Sequence, residues 1–281
     1  MDKLRVLDLF SGIGGFSLGL ERTGGFETVA FCEIEPFPRR VLAKHWPEVP
    51  CYDDVRTLTG DVLRRDGIAV DVITGGFPCQ DLSVAGKQRG MGEGTRSGLW
   101  SEIVRLVGEL RPQYVIVENV AALLAGPSER RGGWFGRVLG DLAECGYDAE
   151  WENIPASALG APHRRERVWL IAYPNQDGCV LSYDVARWLL PLKSALVWKP
   201  FGAANNRVRV QELAKVCWDD DGLPAELGAY GNSVVPQIPE LIGHAILQAI
   251  RPHNAAEPMP DGVAPMTPAE AIRRCTTVAE C

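Results

Sequence analysis

The sequence predicts an α/β fold, a sheet with helices on both faces. Three observations carry this prediction. Through residues 1–172, short apolar, β-branched runs alternate with amphipathic helical stretches, the pattern of consecutive βαβ units. Acidic and reactive residues gather just past the ends of those runs, where an open parallel sheet binds its ligands. The first run also passes directly into a glycine-rich turn that opens a helix. At 281 residues the chain can bury a full core as one large domain, or as one domain and a small one.

Taken in order, the strands are expected at Arg5–Leu9, Thr28–Cys32, Val70–Thr74, Tyr114–Val117 and Val168–Ala172, each apolar and rich in β-branched residues. Helices are expected at Phe16–Arg22, Pro38–His45, Leu99–Leu110 and Phe135–Cys145. Residues 174–222 lose the rhythm. Between Asp184 and Glu212 they carry Arg187, Lys193, Lys199, Arg207 and Arg209 with no acidic residue, interleaved with Trp188 and Trp198. This stretch reads as a small separate region. Helical periodicity returns over 232–250, with Ile238, Leu241, Ile242, Ala245, Ile246 and Ala249 on one face. The Pro- and Ala-rich residues 251–281 read as a flexible tail. The domain division is therefore 1–173 with 223–250, then 174–222, then the tail.

Bulk properties narrow the function. No run of about 18 apolar residues exists to span a membrane. The opening segment, Met1 to Val6, leads into a strand and lacks a secretory signal pattern. The eight cysteines form no Cys-x-x-Cys pair and no metal-ligand spacing with the four histidines. A reduced, cytoplasmic protein without a bound metal is expected. A net charge of −7 weighs mildly against nucleic acid, so any such contact must lie on a local basic face.

At one end of the sheet, Asp8-Leu9-Phe10-Ser11-Gly12-Ile13-Gly14-Gly15-Phe16 joins the first strand to the first helix. Its glycines permit a tight turn and close backbone approach, and the helix N-terminus offers N–H groups to an anion. It is not the Gly-x-Gly-x-x-Gly of dinucleotide binders, since position 17 is Ser. After the second strand, Glu33 can accept hydrogen bonds from a ribose diol, and Asp54 can read an adenine amino group. At the other end, Gly75-Gly76-Phe77-Pro78-Cys79-Gln80 presents a cysteine where the third strand stops, before a Gly-rich, polar loop from Asp81 to Gly98. A lone cysteine would read as packing. Glu118, at the next strand end, and the cations of His163-Arg164-Arg165-Glu166-Arg167 are the groups that could act beside it. A thiolate nucleophile, a carboxyl proton donor and an arginine suit attack on a polarised heterocycle.

These stretches, with Glu118-Asn119-Val120 and Tyr230-Gly231-Asn232-Ser233-Val234-Val235-Pro236, resemble the ordered motifs of DNA (cytosine-5)-methyltransferases of bacterial and phage type. The resemblance covers roughly 1–172 and 223–250. It implies a Rossmann-like S-adenosylmethionine-dependent methyltransferase sheet with 174–222 as a small target-recognition region. It implies that Phe10, Ser11, Gly12, Ile13, Gly14 and Gly15 cradle S-adenosyl-L-methionine. Glu33 and Ile34 would hold its ribose side, Asp54 and Val55 its adenine, and Pro78, Asn232 and Ser233 would complete the cofactor site. Cys79 would attack C6 of a flipped-out cytosine while Glu118 protonates N3 and Arg165, helped by Arg167, contacts O2. Gln80, Ser83, Lys87, Arg89 and Arg96 would meet double-stranded DNA from a closing lid. A monomer is expected, with a cognate restriction endonuclease as a possible partner. The chain departs from the family pattern in having His163 where the family has glutamine, and in its short stretch before Gly231. A catalytically idle DNA- or cofactor-binding relative, and an RNA cytosine-5 methyltransferase, stay open as alternatives.

Overall fold

The structure, a computed structural model, describes residues 2–77, 99–124, 133–155, 166–175 and 233–250. Seven strands form one sheet: β1 (Leu4–Leu9), β2 (Phe26–Cys32), β3 (Cys51–Tyr52), β4 (Val72–Gly75), β5 (Tyr114–Val120), β6 (Tyr147–Pro155) and β7 (Glu166–Pro174). Their order across the sheet is β3-β2-β1-β4-β5-β7-β6. Described helices are α1 (Gly15–Arg22), α2 (Pro36–His45), α3 (Gly60–Arg65), α4 (Trp100–Leu110), α5 (Gly133–Glu144) and α6 (Gln237–Ile250), with a 3₁₀ turn at Ala121–Leu124. The chain divides into two compact units, Met1–Ala249 and Ile250–Cys281, and the sheet belongs to the first.

Strand alternation sorts the side chains into two layers. Leu7 and Leu9 of β1, Ile73 of β4, Val115 and Val117 of β5, and Val168, Leu170 and Ala172 of β7 share one core cluster. That cluster also takes in Leu63 of α3, Trp100, Ile103, Leu106 and Val107 of α4, and Trp134, Phe135, Val138 and Leu142 of α5. The intervening residues, Val6, Asp8, Thr74, Ile116, Glu118 and Trp169, are buried on the opposite face. There α1 and α6 cover them: Phe16 packs edge-on against Trp169, and Gly243 of α6 lies against Leu20, Thr23 and Phe26. Helices on both faces are therefore as the sequence predicts.

Four features differ from the sequence reading. Strand β3 has only two residues, and α3 has six, started by Thr59 accepting from the Val62 amide at 3.2 Å. The third is β6, an edge strand alternating charged with apolar residues. The fourth is direction: β7 runs antiparallel to both β5 and β6. Ten residues separate β6 from β7, too few for the crossover a parallel partner needs, so the pair forms a hairpin. β5 also runs three residues further than expected, which places Glu118 inside the strand. Residues 176–232 and 251–281, which hold nearly all of the stretch expected to recognise the target and all of the expected tail, lie outside the described residues. Among the described residues no helix is long and apolar enough to cross a membrane.

Candidate functional site

Strand order reverses at β1, which pairs with β2 on one side and β4 on the other, both parallel. The connections on the two sides leave in opposite directions, so a crevice opens past the carboxyl ends of β1 and β4. The turn at its base is built from Phe10 to Gly15. Phe10, Gly12 and Gly14 have φ of 52°, 53° and 85°, the left-handed region that glycine occupies without strain. Ser11 Oγ donates to the Asp8 carbonyl at 2.6 Å, and the Ser11 amide to the Cys32 carbonyl at 3.3 Å. A Cβ on Gly14 would stand 2.6 Å from Trp46, and one on Gly15 would stand 2.5 Å from the Val234 carbonyl oxygen. Both glycines are thus required by close approach. Toward Gly12, by contrast, a Cβ would meet nothing within 4 Å, so the turn has an open side.

Glu33, at the end of β2, is buried beside this turn. Its Oε2 accepts from the Gly12 amide at 2.7 Å and its Oε1 from the Glu35 amide at 2.8 Å. Each carboxylate oxygen has further lone pairs with which to accept from a diol. Ile34 follows with 58% of its surface exposed, an apolar side chain offered to the rim. Val55 is buried in the core, whereas the carboxylate of its neighbour Asp54 is engaged by the Arg56 guanidinium at 2.7 Å. That ion pair holds the Asp54 carboxyl below the usual range, first through the side-chain hydrogen bond from Arg56. The residues fit an adenosyl cofactor: an open backbone turn, an adjoining acid and an exposed apolar side chain.

Beneath the turn lies a group whose part the sequence reading missed. Asp8 is fully buried in β1, accepting at Oδ1 from Thr74 Oγ1 of β4 at 2.7 Å and at Oδ2 from Ser17 Oγ of α1 at 2.9 Å. It faces away from any ligand and joins the three elements that form the crevice. Burial pushes its carboxyl up to about 7, the two hydroxyls acting against this and the charge of Glu33 with it.

The second half of the site stands on β5 and β7. Glu118 is the register partner of Trp169, and Val120 of Arg167, so Glu118, Arg167 and Trp169 share one face. Arg167 Nε lies 2.8 Å from Glu118 Oε1. A Cβ on Gly76 would come within 3.3 Å of Glu118 Oε2, so the residue after β4 must be small for this carboxylate to fit. Asn119 Nδ2 donates to the Phe77 carbonyl at 3.0 Å, and the Phe77 ring packs on Trp100 with centroids 5.4 Å apart. These contacts pin the chain two residues before Cys79 against the strand that carries Glu118. A cleft lined by Glu118, Ile154, Arg167, Trp169, Ser233, Val235 and Ile238 lies alongside.

Of the residues expected in the site, Phe10 to Gly15, Glu33, Ile34, Asp54, Val55, Glu118, Arg167 and Ser233 are described. Pro78, Cys79, Gln80, Ser83, Lys87, Arg89, Arg96, Arg165 and Asn232 lie outside the described residues. Arg167, expected to help Arg165 at the base's O2, pairs through its Nε with Glu118. Sequence reasoning also missed Gly76 and Trp169. The first was signalled only by its place between the strand and the cysteine, the second by falling two residues after Arg167.

The fold and crevice are those of the methyltransferase class. A crystal structure described as an E. coli prophage-encoded DNA modification methyltransferase superposes with a TM-score of 0.51 at 30% identity, covering 61% of this chain and 47% of that one. A Spodoptera frugiperda DNMT2 mutant shares the fold, with a TM-score of 0.51 at 24% identity over 62% of this chain and 51% of its own. More narrowly, the chain belongs to the C-5 cytosine-specific DNA methylase family, whose model matches residues 4–211. Type II methyltransferase M2.BsuMI of Bacillus subtilis is 37% identical over 178 residues, which are 62% of this chain and 43% of the relative. M.Sau3AI of Staphylococcus aureus is 36% identical over 207 residues, 68% of this chain and 48% of the relative. The chain thus spans less than half the length of these two relatives.

Proposed function

We propose that the chain methylates cytosine in DNA at C5, using S-adenosylmethionine and a covalent bond between Cys79 and C6 of the base. The observation that carries this reading is the Glu118–Arg167 pair, 2.8 Å apart on adjacent strands, beside the segment that leads into Cys79. Family membership supports the substrate and the reaction class.

The turn from Phe10 to Gly15 holds the cofactor, with Glu33 on its ribose, Ile34, Val55 and Asp54 toward its adenine, and Ser233 with Asn232 at its methionine end. Bound there, S-adenosylmethionine supplies the electrophilic methyl group that C5 accepts. The target base is turned out of the duplex, because C6 is closed to a nucleophile inside the stack. Arg167 fixes one oxygen of Glu118, and the other lies on the Gly76 side, toward the cysteine segment. Glu118 gives a proton to N3, which draws electrons from the ring and makes C6 electrophilic. The Cys79 thiolate adds to C6, forming the C–S bond, and the electron pair of the C5–C6 double bond makes C5 nucleophilic. After methylation, the C5 proton passes to solvent water, the electrons of its bond restore the C5–C6 double bond and expel the Cys79 thiolate, and the N3 proton returns to Glu118. Arg165 meets O2 of the base, and the basic stretch within 174–222 contacts the DNA backbone.

Base-resolution mapping of 5-methylcytosine in plasmid DNA from cells expressing the chain tests this, with Cys79→Ser as the control. Expected is methylation at a recurring short sequence, absent in the Cys79→Ser control, whose affinity for the cofactor is unchanged. No 5-methylcytosine on any mixed-sequence DNA overturns the reading.

A further inference from the structure

Trp169 occupies the centre of β7 with 3% of its surface exposed, and its indole Nε1–H has no hydrogen-bond partner among the described residues. Leaving a buried donor unmade costs about 1–3 kcal/mol, and such groups in native proteins call for an explanation. Trp169 is the residue with such an atom that lines the cleft beside Glu118. Its surroundings there are apolar: Ile154, Val235, Ile238 and the ring of Phe16, whose centroid is 5.5 Å away. Glu118 and Arg167 in the same cleft are paired with each other. An indole N–H is a donor only, so a ligand that completes it must bring an acceptor.

The neighbours of Trp169 indicate which acceptor. Phe16 belongs to the first turn of α1, and Ser233 and Val235 flank Val234, whose carbonyl lies against Gly15 at the start of that helix. This wall of the cleft is therefore the one nearest the α1 N-terminus, whose partial positive charge favours an anion. We propose that Trp169 is a further cofactor-binding residue, its indole N–H donating to the carboxylate of the cofactor's amino-acid end. The proposal rests on the methyltransferase reading above.

The test compares two ligands on the wild-type chain and on Trp169→Phe by calorimetry. S-adenosylhomocysteine carries the amino-acid carboxylate, and 5′-methylthioadenosine keeps the nucleoside and sulfur but lacks it. Trp169→Phe is expected to bind S-adenosylhomocysteine about 10-fold or more weakly, the worth of a hydrogen bond to a charged group, while its affinity for 5′-methylthioadenosine stays unchanged. In the wild-type chain, the Trp169 indole proton should shift downfield in the nitrogen–proton spectrum with the first ligand and not the second, a readout that needs no variant to fold. Equal loss for both ligands, no loss for either, or an indole resonance indifferent to the carboxylate overturns the proposal alone. A wild-type chain that binds neither ligand overturns the cofactor reading, and this proposal with it.

Discussion

Asp8→Asn should make the protein's stability less dependent on pH across the neutral range. In the folded protein the Asp8 carboxyl is raised from its ordinary 3.8 to about 7, chiefly by burial. Between those values the folded chain holds a proton that the unfolded chain has released. Stability therefore falls as pH rises through this window and levels off above it. The whole displacement is worth about 4 kcal/mol at about 1.4 kcal/mol for each pH unit. From about pH 5 to about pH 7 the wild-type chain should lose roughly 2 kcal/mol that the variant does not. Asparagine keeps the shape of the neutral acid. Its oxygen accepts from one of the two hydroxyls, and its amide donates to the other, since Ser17 and Thr74 can reverse their hydrogen bonds. Urea unfolding midpoints of both proteins across that range, taken as a difference, cancel the groups they share. Parallel curves would refute the idea that a carboxyl beneath the turn is carried protonated into the neutral range.

Further outcomes follow from the same geometry. Glu33→Ala removes the acceptor for the Gly12 and Glu35 amides and should weaken S-adenosylhomocysteine binding at least 10-fold; an unchanged dissociation constant in calorimetry would remove Glu33 from the site. Gly15→Ala sets a methyl group 2.5 Å from the Val234 carbonyl oxygen and should cost about 1–3 kcal/mol by overpacking, read as a lowered thermal midpoint. The same change at Gly108, where a Cβ would meet nothing within 4 Å, should cost no stability and serves as the control.

Much of the sheet was readable because its central strands are buried on both faces and so are continuously apolar. β1, β2 and β5 announce themselves in this way, and α4 and α5 through their periodic apolar faces. What was not readable is instructive in its physics. β3 is two residues long and exists only by pairing with β2, a tertiary fact. The edge strand β6 alternates Tyr147, Ala149 and Trp151 with acids, a half-buried period-two signal masked by its charge. Without β6 the reversal of β7 has no local sign, because a strand's direction is set by its connection and not by its composition. Glu33 and Glu118 were legible from a topological rule about strand ends. The attachment of Arg167 to Glu118 was not, since it depends on register between strands nearly 50 residues apart. The role of Asp8 was not legible, because a lone acid in a strand says nothing of the partners that bury it. Here the carboxyl is turned inward, and Thr74 and Ser17, each unremarkable alone, are what satisfy it.

The seam between α1 and α6 bears on the order in which the protein is made. Phe16 and Leu20 emerge from the ribosome more than 200 residues before Pro236, Pro239 and Gly243, which pack on α1. Backbone meets backbone there, at Gly15 with Val234 and at Gly19 with Pro236, so no earlier segment with larger side chains can substitute. Until α6 is synthesised, the face of the sheet it shares with α1 is only partly covered. Closing so long a loop is entropically slow, and a nascent chain halted before residue 233 would show a greasy face to its neighbours. The protein's vulnerability to aggregation is thus greatest during translation, and a helper that shields apolar surface would act on it at that stage.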